Sequence, residues 1–145
     1  KAIARIVSFG ELGDSLGEMY FYLSLSDCVV VGGGFTPEGA HNIIEPLAVG
    51  RPVVTGPVTW PIEYPFAEAA AAGVARGVAD AAGLAAALGA GGGPGALPPD
   101  PQDIWERKRK EADAIAAFCA AHSGAVARTL AALPPALAAT RLTSR

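Results

Sequence analysis

Short continuous apolar runs alternate along the chain with longer stretches in which apolar residues recur at helical spacing. Residues 28–31 form one such run before three glycines, and residues 53–55 form another before Gly56-Pro57. Apolar runs without alternation are typical of strands buried on both faces of a parallel sheet. Weaker strands are predicted over residues 3–12 and 74–78.

Six stretches have the features of helices. They cover residues 17–26, 42–49, 64–72, 80–88, 103–122 and 125–133. Asp80 stands at a predicted N-cap, and Gly50, Gly73 and Gly124 stand where glycine commonly ends a helix. One face of the longest helix carries Ile104, Lys108, Ala112, Ile115, Phe118 and Cys119. Strands that alternate with helices at this spacing predict an α/β fold, with a partial Rossmann-like parallel sheet flanked by helices.

Glycine and proline are concentrated in residues 89–101, which we predict to be a flexible linker. The linker separates a Rossmann-like region, residues 1–88, from C-terminal helices in residues 102–145 that we expect to pack on the same domain. The chain begins with Lys1 rather than Met, and its strands are few for a doubly wound domain. We therefore expect the front of the domain to be absent, and the open sheet edge to favour self-association.

Composition excludes several classes of function. Hydrophobic residues make up 51% and charged residues 17% of the 145, which excludes a disordered chain. A net charge of −3 gives no support for nucleic-acid binding. The two cysteines and two histidines have no metal-type spacing, so we expect free thiols and no metal site. No uncharged apolar run reaches the roughly 18 residues of a membrane span, so none is predicted.

The first candidate for chemistry is the glycine loop, Gly32-Gly33-Gly34-Phe35-Thr36, directly after a predicted strand. Glycines allow a ligand to approach the backbone, and successive N–H groups can hold an anion. The loop matches neither a Walker A motif nor G-x-G-x-x-G. A tight turn without a ligand is the alternative.

The second candidate is the pair Asn42 and Glu45, which has the spacing of a capping box. A carboxylate at the start of a helix, beside a glycine loop, is also placed to bind a ribose diol. Residues 14–19 form a polar turn that enters a helix, for which an ordinary N-cap is the simpler interpretation. The basic run 107–110 is flanked by acidic residues, which favours a solvated helix face over a lipid contact.

Together these residues resemble a known family. The segment DSLGEMYFYLSLSD, followed by VVVGGGFTPEGAHNIIEPLAVGRPVVTGP, resembles the C-terminal part of bacterial 3-deoxy-D-manno-octulosonic acid (Kdo) transferases. The pattern of that family runs D-T-x-G-E-[LM], then G-G-S-[FL]-x-P-x-G-G-H-N-x-x-E-P, then G-x-P-V-x-x-G-P. The match covers residues 14–57, and the family has the GT-B glycosyltransferase fold.

The resemblance implies a function and a set of site residues. Family members transfer Kdo from CMP-Kdo to a lipid A precursor on the cytoplasmic side of the bacterial inner membrane, and they need no metal or other cofactor. The resemblance places the donor phosphate at Gly33, Gly34 and Phe35, and the phosphate and ribose at Asn42 and Glu45. It places the base at the turn Gly17, Glu18 and Met19. The acceptor domain, with the catalytic base, lies N-terminal to this part, so no catalytic residue is assigned and the chain alone is expected to be inactive.

The chain departs from the family pattern at several positions. Gly34 stands where the family has Ser, Ala40 where it has Gly, and Val58-Thr59-Trp60 where it commonly has His and then Asn-Phe. These departures bear on donor and acceptor specificity. Two alternatives remain open on sequence: a fragment of a UDP-sugar enzyme of the same fold, and a non-catalytic nucleotide-binding or interaction module.

Overall fold

A parallel three-stranded sheet forms the centre of the protein. The structure, a computed structural model, describes residues 4–6, 11–13, 16–89 and 101–133. The strands are β3 (Val29–Val31), β4 (Val53–Thr55) and β5 (Ala75–Gly77), in the order β3-β4-β5. Val30 pairs with Val54, and Val54 pairs with Arg76. The predicted α/β fold with a parallel sheet is confirmed.

The two outer positions of the sheet differ from the central one in burial. All three residues of β4 are buried, as expected for a strand with neighbours on both sides. In β3, Val31 is buried but Val30 is 42% exposed. The prediction that residues 28–31 are buried on both faces is therefore wrong for β3, because β3 is an outer strand in the described part of the chain.

The first predicted strand, over residues 3–12, is two strands. β1 (Ala4–Ile6) and β2 (Glu11–Gly13) pair antiparallel, with Ala4 opposite Gly13. They form a sheet separate from the parallel one. The four residues between them match the usual length of a hairpin connection, a signal that the single-strand prediction overlooked.

Six helices surround the strands. They are α1 (Met19–Leu25), α2 (Ile44–Ala48), α3 (Glu63–Ala71), α4 (Ala81–Ala87), α5 (Pro101–His122) and α6 (Ala125–Ala132). A single 3-10 turn, Trp60–Ile62, precedes α3. Gly50, Gly73 and Gly124 all have positive φ just outside helices, as predicted. Asp80 caps α4, because its carboxylate accepts a hydrogen bond from the Gly83 N–H at 2.8 Å.

The core joins the sheet to α2, α3 and α5. Its buried residues include Ile43, Leu47, Val53, Ala69, Val74, Ile115 and Phe118. Helix α5 thus packs on this core through Ile115 and Phe118, two of its predicted face residues. Ala112, predicted on the same face, is exposed, and Glu111 is half-buried in its place. Of the predicted linker, only Gly89 and Pro101 are among the described residues.

Polar side chains of Lys108, Cys119 and His122 join α5 to other parts of the described protein. Lys108 Nζ lies 2.6 Å from an Asp27 carboxylate oxygen, and this ion pair lowers the pKa of Asp27. Cys119 Sγ donates to the Leu47 carbonyl at 3.4 Å. His122 bonds the Phe118 carbonyl and pairs with the Glu68 carboxylate. Both cysteines are free thiols, as predicted, and burial raises the pKa of Cys28.

One helical range among the described residues, Gln102–Ala132, is long and apolar enough to cross a membrane by those criteria alone. The sequence prediction required an uncharged run and so did not identify it. The range is two helices, interrupted after His122 by Gly124 in the left-handed region. Ile115 and Phe118 of this range are buried in the protein core. The evidence for a membrane span is therefore weak.

Candidate functional site

Three loop segments meet at the edge of the sheet where β3 and β4 end. The Val58 N–H donates to the Gly34 carbonyl at 2.9 Å, and the Ala40 N–H donates to the Val58 carbonyl at 2.8 Å. The His41 N–H donates to the Gly32 carbonyl at 3.1 Å. These bonds join the glycine loop, the chain entering α2 and the loop after β4 into one surface. Ligands of open α/β sheets bind at this kind of edge.

The glycines of the loop are required by close packing of backbone against backbone. A Cβ on Gly34 would lie 2.4 Å from Thr55 Oγ1 and 2.6 Å from the Gly56 nitrogen. A Cβ on Gly33 would lie 2.2 Å from the Gly39 carbonyl oxygen, and Gly33 has φ +85°. From the sequence, these glycines were expected to allow a ligand to approach the backbone. In the structure, the close packing of the loop against neighbouring backbone is by itself a sufficient reason for glycine at these positions.

The hydrogen bonds of the same loop leave several of its backbone N–H groups unused. The Thr36 N–H donates to the Gly33 carbonyl at 3.0 Å, and the Gly39 N–H donates to the Thr36 carbonyl at 3.1 Å. In these bonds, and in those that join the loop to its neighbours, Gly32, Gly33 and Gly34 contribute carbonyl groups as acceptors. The N–H groups of Gly33, Gly34 and Phe35 are not used in any of them. They remain candidate donors to an anion.

The predicted capping box of Asn42 and Glu45 is not formed. The Asn42 Oδ1 accepts a hydrogen bond from the Ile44 N–H at 2.9 Å, rather than from the Glu45 N–H that a capping box uses. Within the described residues, the half-buried Glu45 carboxylate has no hydrogen bond or ion pair, so the return bond to the Asn42 N–H is not made. Ile43 and Leu47, both fully buried, anchor the helix on the core. Core packing therefore holds α2 in place and leaves the Glu45 carboxylate available for a ligand.

The turn Gly17, Glu18 and Met19 leads into α1, the helix that precedes β3 along the chain. At the far end of α1, the Ser24 carbonyl accepts a hydrogen bond from Arg51 at 2.5 Å, just before β4 begins. None of the backbone hydrogen bonds among the described residues joins this turn to the glycine loop, so its place in the site stays a prediction. Gly17 has φ +90°, and the Glu18 carboxylate accepts a hydrogen bond from the Tyr22 hydroxyl at 3.1 Å.

Two features of this edge were not identified from the sequence. The ring of His41 lies beside Gly33, with its Cδ2 3.3 Å from where a Cβ would stand. An open depression of about 420 Å³ is lined by Pro57, Val58, Thr59, Trp60 and Glu63. Its signal in the sequence was the departure from the family pattern after Gly56-Pro57.

Metal ligands are not clustered in the described part of the chain. Among these residues, no group of three or more His, Cys, Asp or Glu side chains could hold a metal ion. The expectation of metal-independent chemistry stays a prediction.

Two curated proteins are similar to this chain over a short stretch. A 3-deoxy-D-manno-octulosonic acid transferase from Bordetella pertussis is 52% identical over 46 residues, which are 32% of this chain and 11% of that protein. A protein of the same name from Haemophilus influenzae is 49% identical over 45 residues, which are 31% of this chain and 10% of that protein. The matched stretch thus spans about a tenth of the length of each relative. No protein-family model matches the chain.

A solved structure shares the fold. The crystal structure of the C-terminal CMP-Kdo binding domain of WaaA from Acinetobacter baumannii matches with a TM-score of 0.59 and 22% identity, over 73% of this chain and 50% of that chain. The resemblance drawn from the motifs is therefore confirmed: this chain is similar to Kdo transferases over about a third of its length and has the α/β fold of a CMP-Kdo binding domain.

Proposed function

We propose that this chain is the donor-binding part of a glycosyltransferase that takes Kdo from CMP-Kdo. The observation that carries the proposal is the edge described above, where hydrogen bonds join a glycine loop with uncommitted N–H groups to the chain entering α2, the helix that carries Glu45. The similarity to two Kdo transferases supports the identity of the sugar, and the likeness to a CMP-Kdo binding domain supports that of the nucleotide.

Each part of the site has a chemical role in this proposal. The N–H groups of Gly33, Gly34 and Phe35 bind the donor phosphate, and Asn42 lies beside it. The Glu45 carboxylate accepts hydrogen bonds from the ribose hydroxyls. The turn Gly17, Glu18 and Met19 contacts the base.

Backbone donors explain how an acidic chain can bind an anion. With a net charge of −3 the chain offers no general attraction to phosphate, but the N–H groups of successive loop residues can hold an anion. Helix α2 has only five residues, so its dipole adds little, and the loop N–H groups carry the interaction. On this account neither binding nor stabilisation of the leaving phosphate requires a metal.

In the whole protein the donor would meet an acceptor held by a second, N-terminal domain. We propose a lipid A precursor as the acceptor, in lipopolysaccharide biosynthesis, with the enzyme associated peripherally with the cytoplasmic side of the bacterial inner membrane. Catalysis requires that second domain. Incubation of this chain alone with CMP-Kdo and a lipid A precursor should therefore yield no product above background.

The test is calorimetric titration of the chain and of Glu45→Gln with CMP. Hydrogen bonds to a charged group contribute roughly 1.5–3 kcal/mol, so loss of the charge should weaken CMP binding about ten- to a hundredfold. The variant should melt like the parent, because Glu45 makes no capping bond in the described structure. Glu106→Gln, at an exposed glutamate of α5, is the control for loss of one negative charge and should not weaken binding.

The same titration distinguishes the alternatives. If Glu45→Gln binds CMP as tightly as the parent, Glu45 is not a ribose ligand. Binding of UMP as tight as that of CMP would favour a UDP-sugar enzyme. If neither nucleotide binds or raises the melting temperature, the chain is a non-catalytic module.

A further inference from the structure

The depression after β4 is continuous with the glycine loop. Val58, one of its lining residues, bonds Gly34 through its N–H and Ala40 through its carbonyl. The depression is open to solvent on one side and has a volume of about 420 Å³. The depression is therefore an extension of the candidate site.

Trp60 presents a fixed aromatic face in this depression. Its side chain is 67% exposed, yet its indole N–H donates to the Pro37 carbonyl at 3.1 Å. The ring edge also packs on Gly39, where a Cβ would lie 3.1 Å from Trp60 Nε1. An exposed aromatic ring held at one edge is suited to stack on a flat or apolar ligand surface.

The order of the loops along the sheet edge identifies the part of the ligand that reaches Trp60. The glycine loop follows β3 and Trp60 follows β4, and these two strands are neighbours in the parallel sheet. In the proposed function the donor phosphate lies at the glycine loop, so the sugar bonded to that phosphate can reach the adjoining loop after β4. The Glu63 carboxylate, on the wall of the depression, can accept hydrogen bonds from sugar hydroxyls.

We propose that the depression lined by residues 57–60 and Glu63 binds the transferred sugar, and that the Trp60 ring stacks on it. This inference rests on the proposed function. It assigns donor-sugar specificity to the segment in which this chain departs from the family pattern, Val58-Thr59-Trp60.

The test compares CMP with CMP-Kdo as calorimetric ligands of the parent chain, Trp60→Leu and Trp60→Phe. Trp60→Leu should weaken CMP-Kdo binding about two- to tenfold, the range expected for loss of one aromatic stack, and leave CMP binding unchanged. Trp60→Phe keeps a flat ring and should retain most of the affinity. Trp105→Leu, at the other tryptophan, which is 68% exposed on α5, is the matched control and should change neither affinity.

Fluorescence gives a readout that does not depend on the fold of a Trp60 variant. In Trp105→Phe, all tryptophan emission comes from Trp60, and it should change with CMP-Kdo but not with CMP. Equal loss of CMP and CMP-Kdo affinity in Trp60→Leu would overturn the inference, as would unchanged affinity for both. If the parent chain fails to bind CMP, the proposed function fails first, and this inference with it.

Discussion

A single methyl group at position 34 should destabilise the protein, although glycine-to-alanine changes in loops are often harmless. An alanine Cβ there would lie 2.4 Å from Thr55 Oγ1, 2.6 Å from the Gly56 nitrogen and 2.9 Å from the Gly56 Cα. Two of these three atoms belong to the backbone, and Thr55 is fully buried. The clash cannot be relieved by rotation of one flexible side chain, so the loops must separate.

The size of the effect follows from the cost of overpacking. Extra atoms forced into a closely packed site cost about 1–3 kcal/mol. For a chain of this size each kcal/mol lowers the melting temperature by roughly 2–4 °C, so Gly34→Ala should melt about 2–12 °C below the parent. Addition of Thr55→Ala should not restore the loss, because the Gly56 backbone would still lie within 3 Å of the new methyl group.

Thermal and urea melts of Gly34→Ala and Gly32→Ala provide the assay. Gly32 is the matched control, because no atom lies within 4 Å of a Cβ built there. Gly32→Ala should therefore be neutral or slightly stabilising, since it restricts the unfolded chain. If Gly34→Ala is as stable as Gly32→Ala, the two loops are not in the contact that the structure gives them.

Two further predictions concern α5 and the sheet edge. Hydrogen bonds to the Phe118 carbonyl and to Glu68 raise the pKa of His122, and the bond from His122 lowers the pKa of Glu68. The stabilisation from His122 is therefore complete below its ordinary value of 6.5 and lost as pH rises through the raised pKa, whereas that from Glu68 is lost as pH falls below 4.5. Melts of His122→Gln should differ from the parent most between these two values and converge as pH rises through the raised pKa of His122; a difference that is constant with pH would contradict this. Separately, the outer edge of β3 should promote association, so light scattering should show a mass that rises with concentration and falls in Val30→Lys; a monomer at all concentrations would refute it.

The sequence predicted best those elements whose ends are determined by single residues. The helix ends at Gly50, Gly73 and Gly124 and the cap at Asp80 depend on conformations or bonds that one residue supplies. The run at β4 was predicted because burial of all three residues follows from its own composition, whereas β5, in which only Ala75 is buried, was predicted as a weak strand. These features need no knowledge of distant parts of the chain.

The predictions that were wrong depend on neighbours that the local sequence does not specify. Residues 28–31 are as apolar as a central strand, but β3 is at the edge of the described sheet, and Val30 is therefore partly exposed. Ala112 and Glu111 differ by one position on α5, and the rotation of that helix is set by Ile115 and Phe118 in the core. The site residues stay predictions, although the structure brings the glycine loop and the start of α2 together.

Spacing alone could not separate the two roles of Glu45, because a capping residue and a ribose ligand both stand at the start of a helix. The structure tests only the capping role. Asn42 bonds the Ile44 N–H at the start of α2, and the buried Ile43 and Leu47 hold the helix on the core. The Glu45 carboxylate makes no capping bond among the described residues, and its role as a ribose ligand stays a proposal.

Two departures from the family pattern meet in space, so the proposed phosphate site and the proposed sugar subsite adjoin each other. A Cβ at Gly34, where the family has Ser, would lie within 3 Å of the Gly56 backbone, and the Gly34 carbonyl accepts the hydrogen bond from Val58. A serine at position 34 would push away the loop that carries Val58, Thr59 and Trp60. The close approach that Gly34 permits therefore sets the position of the depression and of the Trp60 ring. It follows that Gly34→Ser should not strengthen binding of the donor phosphate in this chain, because it would displace the adjoining loop of the proposed sugar subsite; calorimetric titration with CMP-Kdo measures this.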